Sequence, residues 1–153
     1  MTYTTYYESP IGLLEIKGTE EAIISILFCE NCDAMKDDTP LLRECCTQID
    51  EYFKGLRKEF TFKYMTNGTA FQNKVWAELG AVPYGKTVSY KEIAVSIGNA
   101  KAIRAVGAAN GRNMLMIVIP CHRIIGVSSG LTGYAGGLWR KEWLLQHEDR
   151  FRE

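Results

Sequence analysis

The turn at Asn67-Gly68 is the expected boundary in the chain and constrains the fold more than any other feature, because strand patterns followed by one helix precede it and a mainly helical pattern follows it. Upstream, Tyr3 to Tyr7 is β-prone and Ser9-Pro10-Ile11-Gly12 reads as a turn. Leu13-Leu14-Glu15-Ile16 resumes an extended pattern, and Lys17-Gly18-Thr19-Glu20 turns again before Ala22 to Phe28. Two or three antiparallel strands in a meander are expected. Thr39 then caps a helix with Pro40 at its first position. Leu41, Leu42, Cys45, Ile49, Tyr52 and Phe53 form its apolar stripe, and Gly55 ends it.

Downstream the period is helical. Thr69 starts a helix with the stripe Phe71, Val75, Trp76 and Leu79, stopped by Gly80, and Pro83-Tyr84-Gly85 turns the chain. Ser89-Tyr90-Lys91-Glu92 has the S-x-x-E form of a capping box and opens a helix to about Ile97. Gly98-Asn99 breaks it, and a second helix is expected from about Ala100 to Ala109, which makes a helix-turn-helix candidate. The fold class is therefore α+β. A small N-terminal module over 1–66 has antiparallel strands plus a helix, and a mainly helical C-terminal domain over 67–153 carries the helix-turn-helix and an active-site loop.

Neither a membrane-length apolar run nor the basic start of a signal peptide is present, and five cysteines suit a reducing compartment, so an intracellular protein is expected. The net charge of zero hides an asymmetry. Residues 1–70 carry seven Lys and Arg against twelve Asp and Glu, a balance of −5; residues 71–153 carry eleven against six, a balance of +5. Only the basic half needs to face phosphates. The second helix of the candidate pair is bare (Ala102, Ala105, Gly107, Ala108, Ala109) and bears Lys101 and Arg104. Such a helix suits a nucleic-acid groove, or equally close packing inside the protein.

The apolar run Met114-Leu115-Met116-Ile117-Val118-Ile119 reads as a buried, strand-like segment, and it ends in Pro120-Cys121-His122-Arg123. A free thiol with a pKa of about 8.5 is only a few per cent thiolate at neutral pH, so a neighbouring base or cation would raise its reactivity. Only two histidines exist, His122 and His147. Neighbours in a strand point to opposite faces, so Cys121 and His122 need a loop or a bridging water to cooperate. A carboxylate should orient the imidazole, and spacing does not choose between Glu142 and Glu148.

Ile119-Pro120-Cys121-His122-Arg123 resembles the active-site signature of the O6-alkylguanine-DNA alkyltransferases, the methylated-DNA–protein-cysteine methyltransferases. Val82-Pro83-Tyr84-Gly85, Ser89-Tyr90, Arg104-Ala105-Val106-Gly107, Asn113, Gly133-Tyr134-Ala135-Gly136-Gly137 and Lys141-Glu142-Trp143-Leu144-Leu145 follow in family order, while the first 65 residues match loosely. The resemblance implies single-turnover direct-reversal repair, in which Cys121 accepts the alkyl group of O6-alkylguanine, or of O4-alkylthymine, in double-stranded DNA. It implies that His122 deprotonates Cys121 through a water, with Glu148 holding His122. Arg104 would fill the gap left by the extruded nucleotide. Tyr90 would push on the 3′ phosphate and give a proton to N3 of the leaving guanine. Ser89, Ala105, Gly107 and Arg123 would join the DNA contact from the minor groove. Tyr134, Ala135, Asn113, Val118 and Met116 would line the base pocket, with Asn113 at a hinge, the Val118 carbonyl receiving the exocyclic amine, and the Ala135 amide near O6. No cofactor, metal or membrane is implied. The implied protein is a monomer of the cytoplasm, or of the nucleus in a eukaryote.

Two positions depart from the family pattern: Met114 and Met116 stand where prolines are usual, exchanging rigid rings for flexible thioethers. Cys29-Glu30-Asn31-Cys32 has C-x2-C spacing, and Cys45-Cys46 could complete four ligands. Adjacent cysteines are poor partners on one tetrahedral ion, however, and Cys45 fits a core stripe, so no metal is expected. The competing functional readings are a non-catalytic sensor of alkylated DNA, a helix-turn-helix regulator, and a cysteine hydrolase. Stoichiometry separates them.

Overall fold

The computed structural model describes residues 1–31, 35–126 and 134–152, and the chain divides into two compact units, Met1–Thr66 and Asn67–Glu153. In the first unit, β1 (Tyr3–Ser9), β2 (Gly12–Gly18) and β3 (Ile23–Cys29) form an antiparallel meander in sequence order. The β1–β2 turn is closed by Ser9, whose Oγ donates to the Gly12 carbonyl and accepts from the Ile11 amide. Residues 63–65 run parallel to the start of β3, where Ile23 exchanges hydrogen bonds with Lys63 and Met65.

Helix α1 (Pro40–Phe53) covers one face of this sheet. Thr39 caps it by accepting from the Leu42 amide. At the other end Gly55 takes φ 76°, which lets its amide reach the Tyr52 carbonyl and the Leu56 amide reach that of Glu51. The expected stripe packs Leu42, Cys45, Ile49 and Tyr52 against Leu14, Ile16 and Ile26, all buried. Gln48 is also buried on α1, and its amide is satisfied by both the hydroxyl and the backbone N–H of Thr61. Cys45 lies in this core with no exposure, while Cys32 of the C-x2-C pair falls outside the described residues.

The second unit contains α2 (Ala70–Gly80), β4 (Val88–Ser89), α3 (Tyr90–Ser96), α4 (Ile103–Gly111), β5 (Ile124–Ile125) and α5 (Leu138–Phe151). Helix α2 opens with a capping box between Thr69 and Gln72 and includes Gly80 rather than stopping before it. The Ser89–Glu92 capping box of α3 is present as expected. Gly98, at φ 83°, reverses the chain after α3, with the Asn99 amide bonded to the Ala94 carbonyl. Helix α4 begins at Ile103, later than the pattern suggested, so Lys101 precedes it. Helices α2, α3 and α4 pack together, and the indole N–H of Trp76 donates to the Ala109 carbonyl at 2.9 Å, fixing α4 on α2. Strand β4 pairs in parallel with β5, which brings residues 88–89 beside residues 124–125. Among the described residues no helix is long and apolar enough to cross a membrane.

Candidate active site

The apolar run 114–119 is not a strand. Its backbone folds back on itself, because the Asn113 side chain supplies the hydrogen bonds that a neighbouring strand would otherwise give. Asn113 Nδ2 donates to the carbonyls of Ile119 at 2.8 Å and Leu115 at 3.3 Å, and Oδ1 accepts from the Leu115 amide at 2.9 Å. The Ile119 amide closes onto the Leu115 carbonyl. Ile117 takes φ 75°, a conformation that a β-branched residue adopts only under constraint, and it is almost wholly buried. Met116 and Leu115 are buried as well, whereas Met114 is half exposed and Val118 partly so.

This turn delivers Cys121 to the start of a single 3-10 turn, Cys121–Arg123. The helical turn removes the strand geometry that would have pointed Cys121 and His122 apart. Cys121 is 2% exposed. Burial pushes its thiol up to about 11, against an Asn113 hydrogen bond and the Lys141 charge that favour the thiolate. At neutral pH the group is therefore a thiol, and a base must take its proton for it to act as a nucleophile.

A group able to accept a proton is adjacent. His122 is fully buried, and its Nε2 lies 2.6 Å from Glu148 Oε2. Burial lowers the imidazole pKa more than Glu148 raises it, so the ring is neutral near pH 7. Facing a carboxylate, Nε2 carries the proton and donates, which leaves Nδ1 as an acceptor. Nδ1 is buried and has no hydrogen-bond partner among the described residues.

Glu148, on α5, is the hub. Besides His122 it accepts from Arg123 Nε at 2.8 Å, Arg123 Nη2 at 3.0 Å and the Gly85 amide at 3.2 Å. Burial by itself would raise the carboxyl, but His122 and Arg123 outweigh it and hold the group well below the usual carboxylate range. Spacing left Glu142 and Glu148 open; the contact to His122 is made by Glu148.

Arg123 requires a correction. It was expected at the DNA face, yet it is 6% exposed and its guanidinium is engaged by Glu148 and by the Val82 carbonyl at 2.8 Å. A cation beside a cysteine looks available in sequence because its partner lies 25 residues away.

The remaining expected residues fall into separate groups. Tyr134 has a buried hydroxyl without a hydrogen-bond partner among the described residues, and burial, then the Cys121 charge, raises its pKa well above the usual tyrosine value. Ala135 is exposed beside it, while Gly133 lies outside the described residues. Tyr90 is half-buried at the start of α3, where its ring faces Gly107 of α4. A Cβ at that glycine would sit 3.6 Å from Tyr90 Cε1. Ser89 uses its Oγ as the α3 cap. Arg104 and Ala105 are exposed on α4, whose other side buries Val106, Ala109 and Asn110.

Two residues of the site were missed in the sequence. Lys141 is fully buried in the second turn of α5; burial pushes its pKa down to about 8, with the charge of Cys121 opposing. Asn110 is 4% exposed, and its Nδ2 lies 3.5 Å from the Cys121 carbonyl. A lysine or asparagine on a helix reads as surface, and no periodic signal marks either one.

Residues 70–150 match the family described as 6-O-methylguanine DNA methyltransferase, DNA binding domain, and residues 2–64 match its ribonuclease-like domain. The methylated-DNA–protein-cysteine methyltransferase of Methanosarcina acetivorans is 45% identical over 152 residues, covering 95% of this chain and 97% of that protein. The constitutive methylated-DNA–protein-cysteine methyltransferase of Bacillus subtilis is 43% identical over 145 residues, with 89% and 88% covered. Among solved structures, the O6-methylguanine methyltransferase of Mycobacterium tuberculosis superposes with a TM-score of 0.89 at 39% identity, covering 98% of this chain and 94% of that one. The Mycobacterium tuberculosis OGT solved in complex with DNA gives 0.88 at 40% identity, with 98% and 93% covered.

Proposed function

Since the chain belongs to the 6-O-methylguanine DNA methyltransferase family, we propose that it repairs alkylated DNA by moving the alkyl group from O6 of guanine, and from O4 of thymine, onto Cys121, once per molecule. The observation that carries this reading is the buried trio of Cys121, neutral His122 and ionised Glu148, which holds one imidazole nitrogen fixed and leaves the other able to accept a proton.

The chemistry follows from that arrangement. His122 takes the thiol proton through a water, and Glu148 stabilises the imidazolium that results. Sulfur attacks the alkyl carbon, the C–O6 bond breaks, and the electron pair leaves with the base. Tyr90 supplies the proton that guanine needs as a leaving group. The product is a thioether that no group in the site reverses, so turnover ends after one transfer. Lys141, a buried cation facing Cys121, favours the developing thiolate.

The alkylated atom is stacked inside the duplex, so the nucleotide must be extruded at a cost of a few kcal/mol. Exposed Arg104 on α4 is suited to replace the lost stacking, and the small exposed face around Ala105 and Ala108 lets the helix approach the minor groove. Tyr134, Ala135, Asn113, Met116 and Val118 form the base pocket in this reading. The protein acts as a monomer, in the cytoplasm or a nucleus. Arg123 is left out of the DNA contact, since its role is to hold Glu148.

The test is mass spectrometry after mixing the protein with excess duplex containing O6-methylguanine. Tryptic cleavage at Arg112 and Arg123 releases a peptide in which Cys121 is the only thiol. A gain of one CH2 on that peptide, with one methyl transferred per protein, is expected. An unchanged mass with lesion binding retained would identify a damage sensor instead.

A further inference from the structure

Asn110 presents an arrangement that the reaction as described leaves unused. It projects from the buried side of α4, the helix whose opposite side carries Arg104. Its Nδ2 faces the Cys121 carbonyl at 3.5 Å. This fixes which end of the amide is which, because the reverse placement would set two oxygens against each other. Oδ1, one amide width from Nδ2, is buried and without a hydrogen-bond partner among the described residues. His122 Nδ1, on the residue that follows Cys121, is a second buried acceptor in the same condition, and unlike the Tyr84 and Tyr134 hydroxyls it has no hydrogen of its own to donate. A buried acceptor with nothing to accept from costs on the order of 1–3 kcal/mol, and two such acceptors, one on the residue after Cys121 and one on the side chain that faces its carbonyl, call for donors.

A single water has the complement required: two hydrogens to donate and an oxygen that accepts from the thiol. We infer that Asn110 is a positioning residue for the deprotonation of Cys121, its Oδ1 and His122 Nδ1 being the two acceptors that hold one buried water against the sulfur. This rests on the alkyl-transfer reading above and adds a residue to it. The proton path balances. The S–H bond breaks and its proton goes to the water oxygen, while the water proton that faces His122 passes to Nδ1. The water keeps its other hydrogen on Asn110 Oδ1 throughout. The sulfur electron pair forms the S–C bond, the C–O6 pair leaves with guanine, and the base takes one proton, so the net change exchanges a thiol proton for an alkyl group. Without Asn110 the water has one anchor rather than two, and the geometry of the relay is lost. The charged and titratable groups that face this thiol are Lys141 of α5, Tyr134 and, through His122, Glu148.

The test compares wild type with Asn110→Leu, which keeps the volume and removes the acceptor. Single-turnover methyl transfer from an O6-methylguanine duplex is measured from pH 7 to pH 10, together with the half-saturating duplex concentration. The expected result at pH 7 is a transfer rate lowered about tenfold, a loss within the range of general-base assistance, with half-saturation changed less than twofold. The deficit should shrink as pH rises, because hydroxide replaces the relay in ionising the thiol. A deficit of the same factor at every pH would mean that the residue only supports the fold, and would overturn the inference, as would a rate within twofold of wild type at pH 7. Should the leucine variant fail to fold, Asn110→Ala carries the same comparison. If wild type itself transfers no methyl, the repair reading falls and this inference with it; if wild type transfers and the variant equals it, only the inference falls.

Discussion

Replacing Glu148 with glutamine tests the electrostatic hub of the site. The carboxylate is 1% exposed and accepts from three side-chain N–H groups at 2.6, 2.8 and 3.0 Å and from the Gly85 amide at 3.2 Å. An amide retains one acceptor, but its NH2 must then face a donor of Arg123 or His122, and the buried Arg123 charge loses its counter-ion. Breaking a buried pair from one side costs about 3–5 kcal/mol, a large share of the roughly 5–15 kcal/mol by which a protein is stable. At a few degrees per kcal/mol for a chain of this size, the melting midpoint of Glu148→Gln should fall by about 10 °C. Methyl transfer should fall with it, since the imidazole is no longer oriented.

Removing both charges separates this cause from general disruption: the double variant with Arg123→Met should recover at least half of the lost stability. The pH dependence has a definite sign. A carboxyl held below its usual range stabilises the folded state fully above the unfolded value of about 4.3, and the contribution is lost as pH falls toward the depressed value. The gap in melting midpoint between wild type and Glu148→Gln should therefore be constant from pH 8 to pH 5 and narrow below that. Calorimetry across this range measures it. A Glu148→Gln midpoint within 2 °C of wild type at pH 7, or a double variant no better than the single one, would refute the reasoning.

Three further outcomes are expected. Gly55→Ala, at φ 76°, should lower stability by about 1 kcal/mol in urea denaturation without changing methyl transfer, because a Cβ is strained in that conformation. Asn113→Ala removes three hydrogen bonds and leaves the buried Leu115 amide without its acceptor, while the Leu115 and Ile119 carbonyls keep the amides of Ile119 and Cys121. It should cost about 3 kcal/mol by the same assay and reduce transfer far more than duplex affinity. Arg104→Ala changes an exposed side chain and should leave the melting midpoint within about 1 °C, while transfer from duplex falls at least tenfold; equal transfer by the two proteins would remove Arg104 from the extrusion step.

Legibility in the sequence followed the range of the interaction. Caps and turns are local, so Thr39, Ser89, Gly55 and Gly98 marked element ends that the structure contains. The α1 stripe was equally legible, because burial of one helix face needs only a 3.6-residue period. The run 114–119 was misread since apolar composition records burial and not hydrogen bonding, and it was one polar side chain, Asn113, that replaced a strand partner. The burial of Arg123 and of Lys141 was not legible for a related reason: charged residues read as exposed unless their surroundings are known. The pairing of His122 with Glu148 came from family resemblance and not from spacing, and β4–β5 joins dipeptides too short to carry any pattern.

The position of Glu148 has a consequence for the chain as it is made. Ribosomes release residues in order, so the thiol at Cys121 and the imidazole beside it emerge before α5 exists, and the contact that orients His122 must wait for a residue 26 places further on. A nascent chain thus carries the sulfur with neither its base aligned nor the Lys141 cation in place. In the single-turnover reading proposed above, the site that directs the one reaction is therefore complete only when the last helix has been added.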